Sequence, residues 1–195
     1  MLELENVKSV HGSTRPLTLA VPGGQCLALR GPSGSGKSLL LRAVADLDPH
    51  QGTIRLNGQD MTTFSGPDWR RRVVYVPTES GWWDNIVEAH MPGPATAWLA
   101  KLRLPEDALA WPVARLSTGE KQRLALLRAL SLTPDVLLLD EPTATLDSAA
   151  AGAVEQVIRD ELSRGAAVIL VSHDDDQANR LSDRILDLGE MAAVA

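Results

Sequence analysis

Cysteine is nearly absent: Cys26 is the one thiol in 195 residues. It cannot close an intramolecular disulfide, so the chain suits a reducing compartment. Its place in the apolar stretch Cys26-Leu27-Ala28-Leu29 makes it a small core side chain and not a reactive thiol. An excess of positive charge is missing too. The formal net charge is −6, which argues against the basic surface of a nucleic-acid binder, and no nucleic-acid partner is expected. No apolar run approaches the ~20 residues needed to span a bilayer. Residues 166–171 form one of the longest runs and suit a buried strand. The amino terminus, Met1-Leu2-Glu3-Leu4-Glu5, is acidic and alternating, unlike a secretion signal. Internal repeats, low-complexity segments and coiled-coil heptads are likewise absent.

What remains is a chain of one domain's length, with 44% hydrophobic and 23% charged residues. Its centre is Gly31-Pro32-Ser33-Gly34-Ser35-Gly36-Lys37-Ser38, preceded by the apolar run at 26–29 and followed by Leu39-Leu40-Leu41-Arg42-Ala43-Val44. Strand, glycine-rich turn and helix occur in the order a phosphate loop requires, and the eight residues fit G-x-x-x-x-G-K-[ST]. Glycines let successive N–H groups curl towards one anion, and the helix start adds its unpaired N–H groups and positive dipole end. Lys37 is then a point charge for the β- and γ-phosphates, and the Ser38 hydroxyl is a ligand for Mg²⁺.

The rest alternates in period. Leu2, Leu4 and Val7 read as an edge strand, residues 17–21 as a second strand, and His11 falls in the loop between them. Residues 49–52 read as a turn, 53–56 as a strand closed by Asn57-Gly58, and 73–76 as a buried strand after a short helix at Trp69-Arg70-Arg71-Arg72. From 78 to 115 the texture changes: Trp82, Trp83, Trp98 and Trp111 fall here with prolines at 92, 94, 105 and 112. We expect short helical pieces, such as 95–102, forming a small subdomain inserted into one domain spanning 1–195. The tryptophans would close its core, with Trp82 and Trp83 as alternative lining for a protein-binding groove. A helix is expected over 121–131, a strand over 136–139, a helix over 148–164 capped by Gly165, a strand over 166–171, a short helix and a final strand over 184–188. The fold class is α/β: a mostly parallel sheet with flanking helices, antiparallel N-terminal strands and the short helical insertion.

Three further residues belong with the phosphate loop. Asp140 ends the buried strand 136–139 and so stands at the carboxyl edge of the sheet, where such folds bind ligands and where a carboxylate can face Ser38 across Mg²⁺. Glu141 follows it and can polarise an attacking water. His173 ends another strand and can approach the γ-phosphate from the far side.

The whole set resembles the ATP-binding-cassette ATPases, the nucleotide-binding subunits of ABC transporters. Residues 31–38 match Walker A, Leu137-Leu138-Leu139-Asp140-Glu141-Pro142 match Walker B, and Leu116-Ser117-Thr118-Gly119-Glu120 resembles the signature whose commonest form is LSGGQ. Ala144-Thr145-Leu146-Asp147 resembles the D-loop, and His173 matches the switch histidine. The resemblance implies two subunits that sandwich two ATP molecules, each held between one phosphate loop and the other subunit's Ser117, Thr118, Gly119 and Glu120. It implies a cytoplasmic subunit held at the inner face of the membrane by a separate permease, which docks in a groove beside Trp82 and Trp83. Alternatives are a member acting on a non-membrane assembly and an ATP-gated binding module that barely hydrolyses. Two positions depart from the family pattern. His11 stands where an aromatic residue stacks on adenine, and Thr78, beside Glu79, replaces the Q-loop glutamine that reaches Mg²⁺.

Overall fold

Two sheets divide the chain, and the pattern of each strand says which. The computed structural model describes residues 1–11 and 15–189. Strands β1 (Leu2–Ser9), β2 (Leu17–Val21), β4 (His50–Leu56) and β5 (Gln59–Asp60) form an antiparallel sheet in the order β2-β1-β4-β5. Its strands alternate buried and exposed residues, as one-faced sheets do. Strands β3 (Cys26–Arg30), β6 (Val73–Val76), β7 (Val136–Asp140), β8 (Ala167–Val171) and β9 (Arg184–Asp187) form a parallel sheet in the order β6-β7-β8-β3-β9. Every residue of β7 and β8 is buried, the mark of a parallel sheet covered on both faces.

Two expectations about the antiparallel sheet change. β1 is not an edge strand but lies between β2 and β4. Residues 50–52 are not a turn but the start of β4. The glycine that suggested a turn serves a bulge. Gly52 has φ +89°, and a Cβ on it would stand 2.3 Å from the Asn6 carbonyl oxygen. Asn6 itself has φ 52°, where the β1–β4 register shifts between Glu5 and Lys8.

Helices α1 (Lys37–Val44), α2 (Gly66–Arg72), α3 (Thr96–Leu99), α4 (Thr118–Leu130), α5 (Ser148–Arg164) and α6 (Asp175–Leu181) cover the parallel sheet or join its strands. α4 begins at Thr118 and not at residue 121, because Ser117 and Glu120 close a capping box that satisfies its first N–H groups. α3 spans four residues instead of the eight expected over 95–102. α5 ends, as expected, at Gly165, whose φ of +100° suits a left-handed cap. The last strand stops at Asp187, one residue short of Leu188.

β7 partitions the interior. Val136 and Leu138 pack with α1 and the antiparallel sheet, while Leu137 and Leu139 pack with α4, α5 and the tryptophan-rich segment. Each such leucine contributes ~1.5–3 kcal/mol by leaving water. Trp69 anchors α2 in the first cluster, its indole N–H donating to the Val44 carbonyl at 2.9 Å. Between 78 and 115, the Ile86–Pro112 bridge and short 3-10 turns surround Val87, Leu99, Leu102, Leu104, Ala108 and Trp111, all buried.

Candidate nucleotide site

The glycine-rich loop joins β3 to α1 as its spacing requires. Gly31, Gly34 and Gly36 have φ of 138°, 80° and 90°, conformations that a side chain would strain. At Gly31 a Cβ would also meet Ser35 Oγ at 3.0 Å and the Gly189 nitrogen at 3.2 Å. Gly36 precedes α1 without a side-chain cap, so the first N–H groups of the helix have no side-chain acceptor there. Lys37 is buried and reaches back across the loop, donating to the carbonyls of Gly31 at 2.7 Å and Pro32 at 3.0 Å. The Ser35 hydroxyl is buried without a partner. This loop is rich in donors and short of acceptors, which is what a phosphate needs.

Acidic groups face it from the edge of the parallel sheet. A cavity of about 200 Å³ is lined by Gly34, Lys37, Ser38, Asp140, Glu141 and His173, with Ser33, Gly36 and Leu39 beside them. Asp140 is buried, and its carboxylate accepts the Tyr75 hydroxyl at 2.9 Å. Burial and the Asp140 charge push the Tyr75 phenol far up, so it stays a donor. The Asp140 carbonyl accepts the Thr78 hydroxyl at 3.2 Å. Glu141 has φ 52°, an uncommon conformation for a side-chain-bearing residue. Hydrogen bonds hold it on both sides: its N–H donates to Val171 O at 2.9 Å, and its carbonyl accepts Gln122 Nε2 at 2.6 Å. So fixed, its carboxylate stands 3.2 Å from His173 Nε2.

The signature segment lies elsewhere. None of Ser117, Thr118, Gly119 or Glu120 lines this cavity. Ser117 caps α4, and both its N–H and its hydroxyl donate to Glu120 Oε2 at 2.8 Å. Those two bonds hold the Glu120 carboxyl below the usual carboxylate range. Gly119 packs on the next motif, where a Cβ would meet Leu146 Cδ2 at 3.1 Å. Asp147 caps α5 by accepting the Ala150 N–H at 2.8 Å. Gln122 links these parts, because its Oε1 accepts the Thr145 hydroxyl at 2.7 Å while its Nε2 holds Glu141. His11 is exposed in the turn after β1, outside the cavity lining, and its N–H donates to Ser9 Oγ at 3.3 Å.

A profile described as ABC transporter matches residues 14–144. The probable iron export ATP-binding protein FetA of Escherichia coli (strain K12) is 36% identical, over 98% of this chain and 94% of its own length. The aliphatic sulfonates import ATP-binding protein SsuB of Granulibacter bethesdensis is 39% identical, over 99% of this chain and 82% of its own. The chain belongs to the ABC transporter family. Among solved structures, an ATP-binding subunit of an ABC transporter superposes with TM-score 0.87 and 25% identity, covering 97% of this chain and 86% of that one. A dimeric ATP-binding cassette bound to ADP and Pi has the same fold, with TM-score 0.81 and 24% identity over 97% of this chain and 95% of that one.

One more surface of this ABC transporter chain bears on function. A groove of about 370 Å³ runs between β6, the turns after it and α4, lined by Val76, Pro77, Trp83, Met91, Pro92 and Arg128 among others. The two adjacent tryptophans divide their work. Trp82 packs against the core, while Trp83 is 71% exposed at the groove. His90, buried beneath them, sets that loop: its Nε2 accepts the N–H groups of Trp83 at 2.9 Å and Asp84 at 3.0 Å. Two donors on Nε2 place the ring proton on Nδ1, which donates to Ile86 O at 3.0 Å. Tyr75, Gln122, His90 and Arg128 escaped the sequence reading. Of these, Gln122 alone had a local signal, five residues beyond Ser117 on a helix whose polar side should face water.

Proposed function

We propose that this chain binds ATP at residues 31–38, hydrolyses it, and in doing so drives a separate membrane permease as an ATP-closed homodimer. One observation carries the reading. Lys37, Ser38, Asp140, Glu141 and His173 share one cavity, while the signature helix start lies outside it on the same chain. A second copy is the natural source of that helix start, and two-fold symmetry then forms two equivalent sites.

Within each site the loop amides and Lys37 hold the phosphates, and His11 lies nearest in sequence to the adenine-stacking position. The Ser38 hydroxyl and Asp140 carboxylate are hard oxygen donors fitted to Mg²⁺, which would neutralise phosphate charge; Tyr75 orients the carboxylate. Thr78, on a shorter arm than glutamine, already donates its hydroxyl hydrogen bond to the Asp140 carbonyl. Glu141 accepts a proton from water as the water oxygen attacks the γ-phosphorus and the bond to the ADP oxygen breaks, and His173 holds the glutamate and the phosphate in line. The permease docks in the groove at Trp83, with Trp82 packed behind it, and keeps the subunit at the inner face of the membrane. No helix among the described residues is long and apolar enough to cross it.

The test is the solution mass of Glu141→Gln with and without Mg-ATP. A monomer that becomes a dimer with nucleotide alone supports the sandwich. A monomer under both conditions, with ATP bound, overturns closure by this chain on its own.

A further inference from the structure

Glu141 is held in a backbone conformation that its residue type does not favour. Among the described residues, Asn6, Asp46, Asn57, Arg103, Thr133 and Glu141 have positive φ without being glycine. Asn and Asp tolerate this region because their short polar side chains bond locally. Of the set, Glu141 is the residue that lines the nucleotide cavity. Its φ of 52° follows directly on the buried end of β7, and such a conformation persists only where the surroundings fix it.

Gln122 supplies part of that constraint from another element. It sits on α4, 6% exposed, with a partner at each end of its amide. Nε2 donates to the Glu141 carbonyl at 2.6 Å, and Oε1 accepts the Thr145 hydroxyl at 2.7 Å. One partner that accepts and one that donates leave the amide a single orientation. The Glu141 carbonyl also accepts the Ala144 N–H at 3.3 Å, but that bond lies inside the turn and moves with it. The Gln122 bond comes from a helix, which holds a group more tightly than a loop does. On the other side, the Glu141 N–H donates to Val171 O at 2.9 Å. The peptides flanking Glu141 are thus tied to β8 and to α4, with its carboxylate 3.2 Å from His173 Nε2.

We propose that Gln122 is a positioning residue for ATP hydrolysis. By holding the Glu141 carbonyl it sets the direction of the Glu141 carboxylate, and with it the place of the attacking water. This rests on the reading of Glu141 as the group that takes the proton from that water. Gln122 does not line the nucleotide cavity, so its loss acts on the chemical step and leaves ATP binding unchanged.

Two measurements on the full chain test this: the single-turnover rate of phosphate release at saturating Mg-ATP, and equilibrium binding of ATP by calorimetry. Gln122→Met keeps the length of the side chain and removes both bonds. It should lower the rate by about tenfold to a hundredfold and change ATP affinity by less than about twofold. Gln122→Asn keeps an amide in the buried site but falls one methylene short of Glu141. It should show the same split, and it decides the matter where Gln122→Met does not fold. Thr145→Val removes only the other bond and should slow release by less than about threefold. A Gln122 variant that folds and releases phosphate within about twofold of the parental rate overturns the inference, as does a loss confined to ATP affinity. Thr145→Val as slow as Gln122→Met overturns it by making the Thr145 bond the one that matters. Failure of both Gln122 variants to fold overturns it too, since the glutamine then serves folding. Glu141→Gln separates the underlying reading. Parental release from that variant overturns the role of Glu141 and this inference with it, whereas an inactive Glu141→Gln beside an unimpaired Gln122 variant overturns this inference and leaves the role of Glu141 standing.

Discussion

In the proposed sandwich, Glu120 stands at the start of α4, where the second subunit's phosphate would approach. Its carboxylate already accepts the N–H and hydroxyl of Ser117, so an incoming γ-phosphate meets a like charge and must displace it. Glu120→Gln keeps the side-chain shape and removes that charge. A charge at a helix start is worth ~0.3–1 kcal/mol. In the Glu141→Gln background, the ATP concentration for half-maximal dimerisation should therefore fall by about threefold. Light scattering across an ATP titration reads this, and a midpoint that rises would show Glu120 helping closure instead. Residues of this kind divide by the reach of their signal. Lys37, Ser38, Asp140 and Glu141 were legible because their meaning lies in neighbours within a few positions. The Tyr75 partner is 65 residues away and the Arg128 partner 47, and no local pattern announces such pairs; Gln122 has a local signal, but its partner lies 19 residues away and is not part of it.

At the scale of elements, strand existence was plainer than strand placement. Buried alternation in Leu2, Leu4 and Val7 marks β1 as a strand with one covered face, but says nothing of whether one or two neighbours flank it. Gly52 shows the same limit, since a glycine in a turn and a glycine in a bulge look alike until the opposing strand is known. The two roles differ in energy, and a paired substitution separates them. Gly52 and Gly58 have similar positive φ, +89° and +79°, yet a Cβ on Gly58 meets nothing within 4 Å. Gly58→Ala should cost about 1 kcal/mol from backbone strain alone. Gly52→Ala adds a collision with the Asn6 carbonyl and should cost about 3 kcal/mol. Urea unfolding of both variants measures the difference, and equal midpoints would mean that β1 shifts aside at no cost. The start of α4 was legible in principle: Ser117 and Glu120 stand at capping-box spacing, and that spacing outranks the apolar period that begins later.

For the whole molecule, carboxylates set the acid limit. Arg42 holds Asp48 low and Lys101 holds Asp160 low. Burial alone would raise Glu155, but hydrogen bonds and charge from Arg180, with Gln177 and Arg159, bring it below its ordinary value. Each such group binds its proton less readily folded than unfolded. Its stabilisation is complete above the unfolded values of 3.8 for aspartate and 4.5 for glutamate, and is lost as pH falls through the lower folded values. The melting temperature should hold level from pH 8 towards pH 6 and drop steadily below about 4.5. Calorimetry across that range checks it, and a melting temperature that rises on acidification would refute it.

Pro77 lines the apolar groove beside α4, and Thr78, the next residue, is tied to the Asp140 carbonyl at 3.2 Å. Groove and phosphate edge are thus joined by one stiff peptide step and one hydrogen bond, with no long side chain between them. In mechanical terms this is a coupling with little backlash. A displacement of the groove wall has few rotamers in which to dissipate, so the subunit would work as a rocker on a short arm and signal docking at its nucleotide edge through small movements.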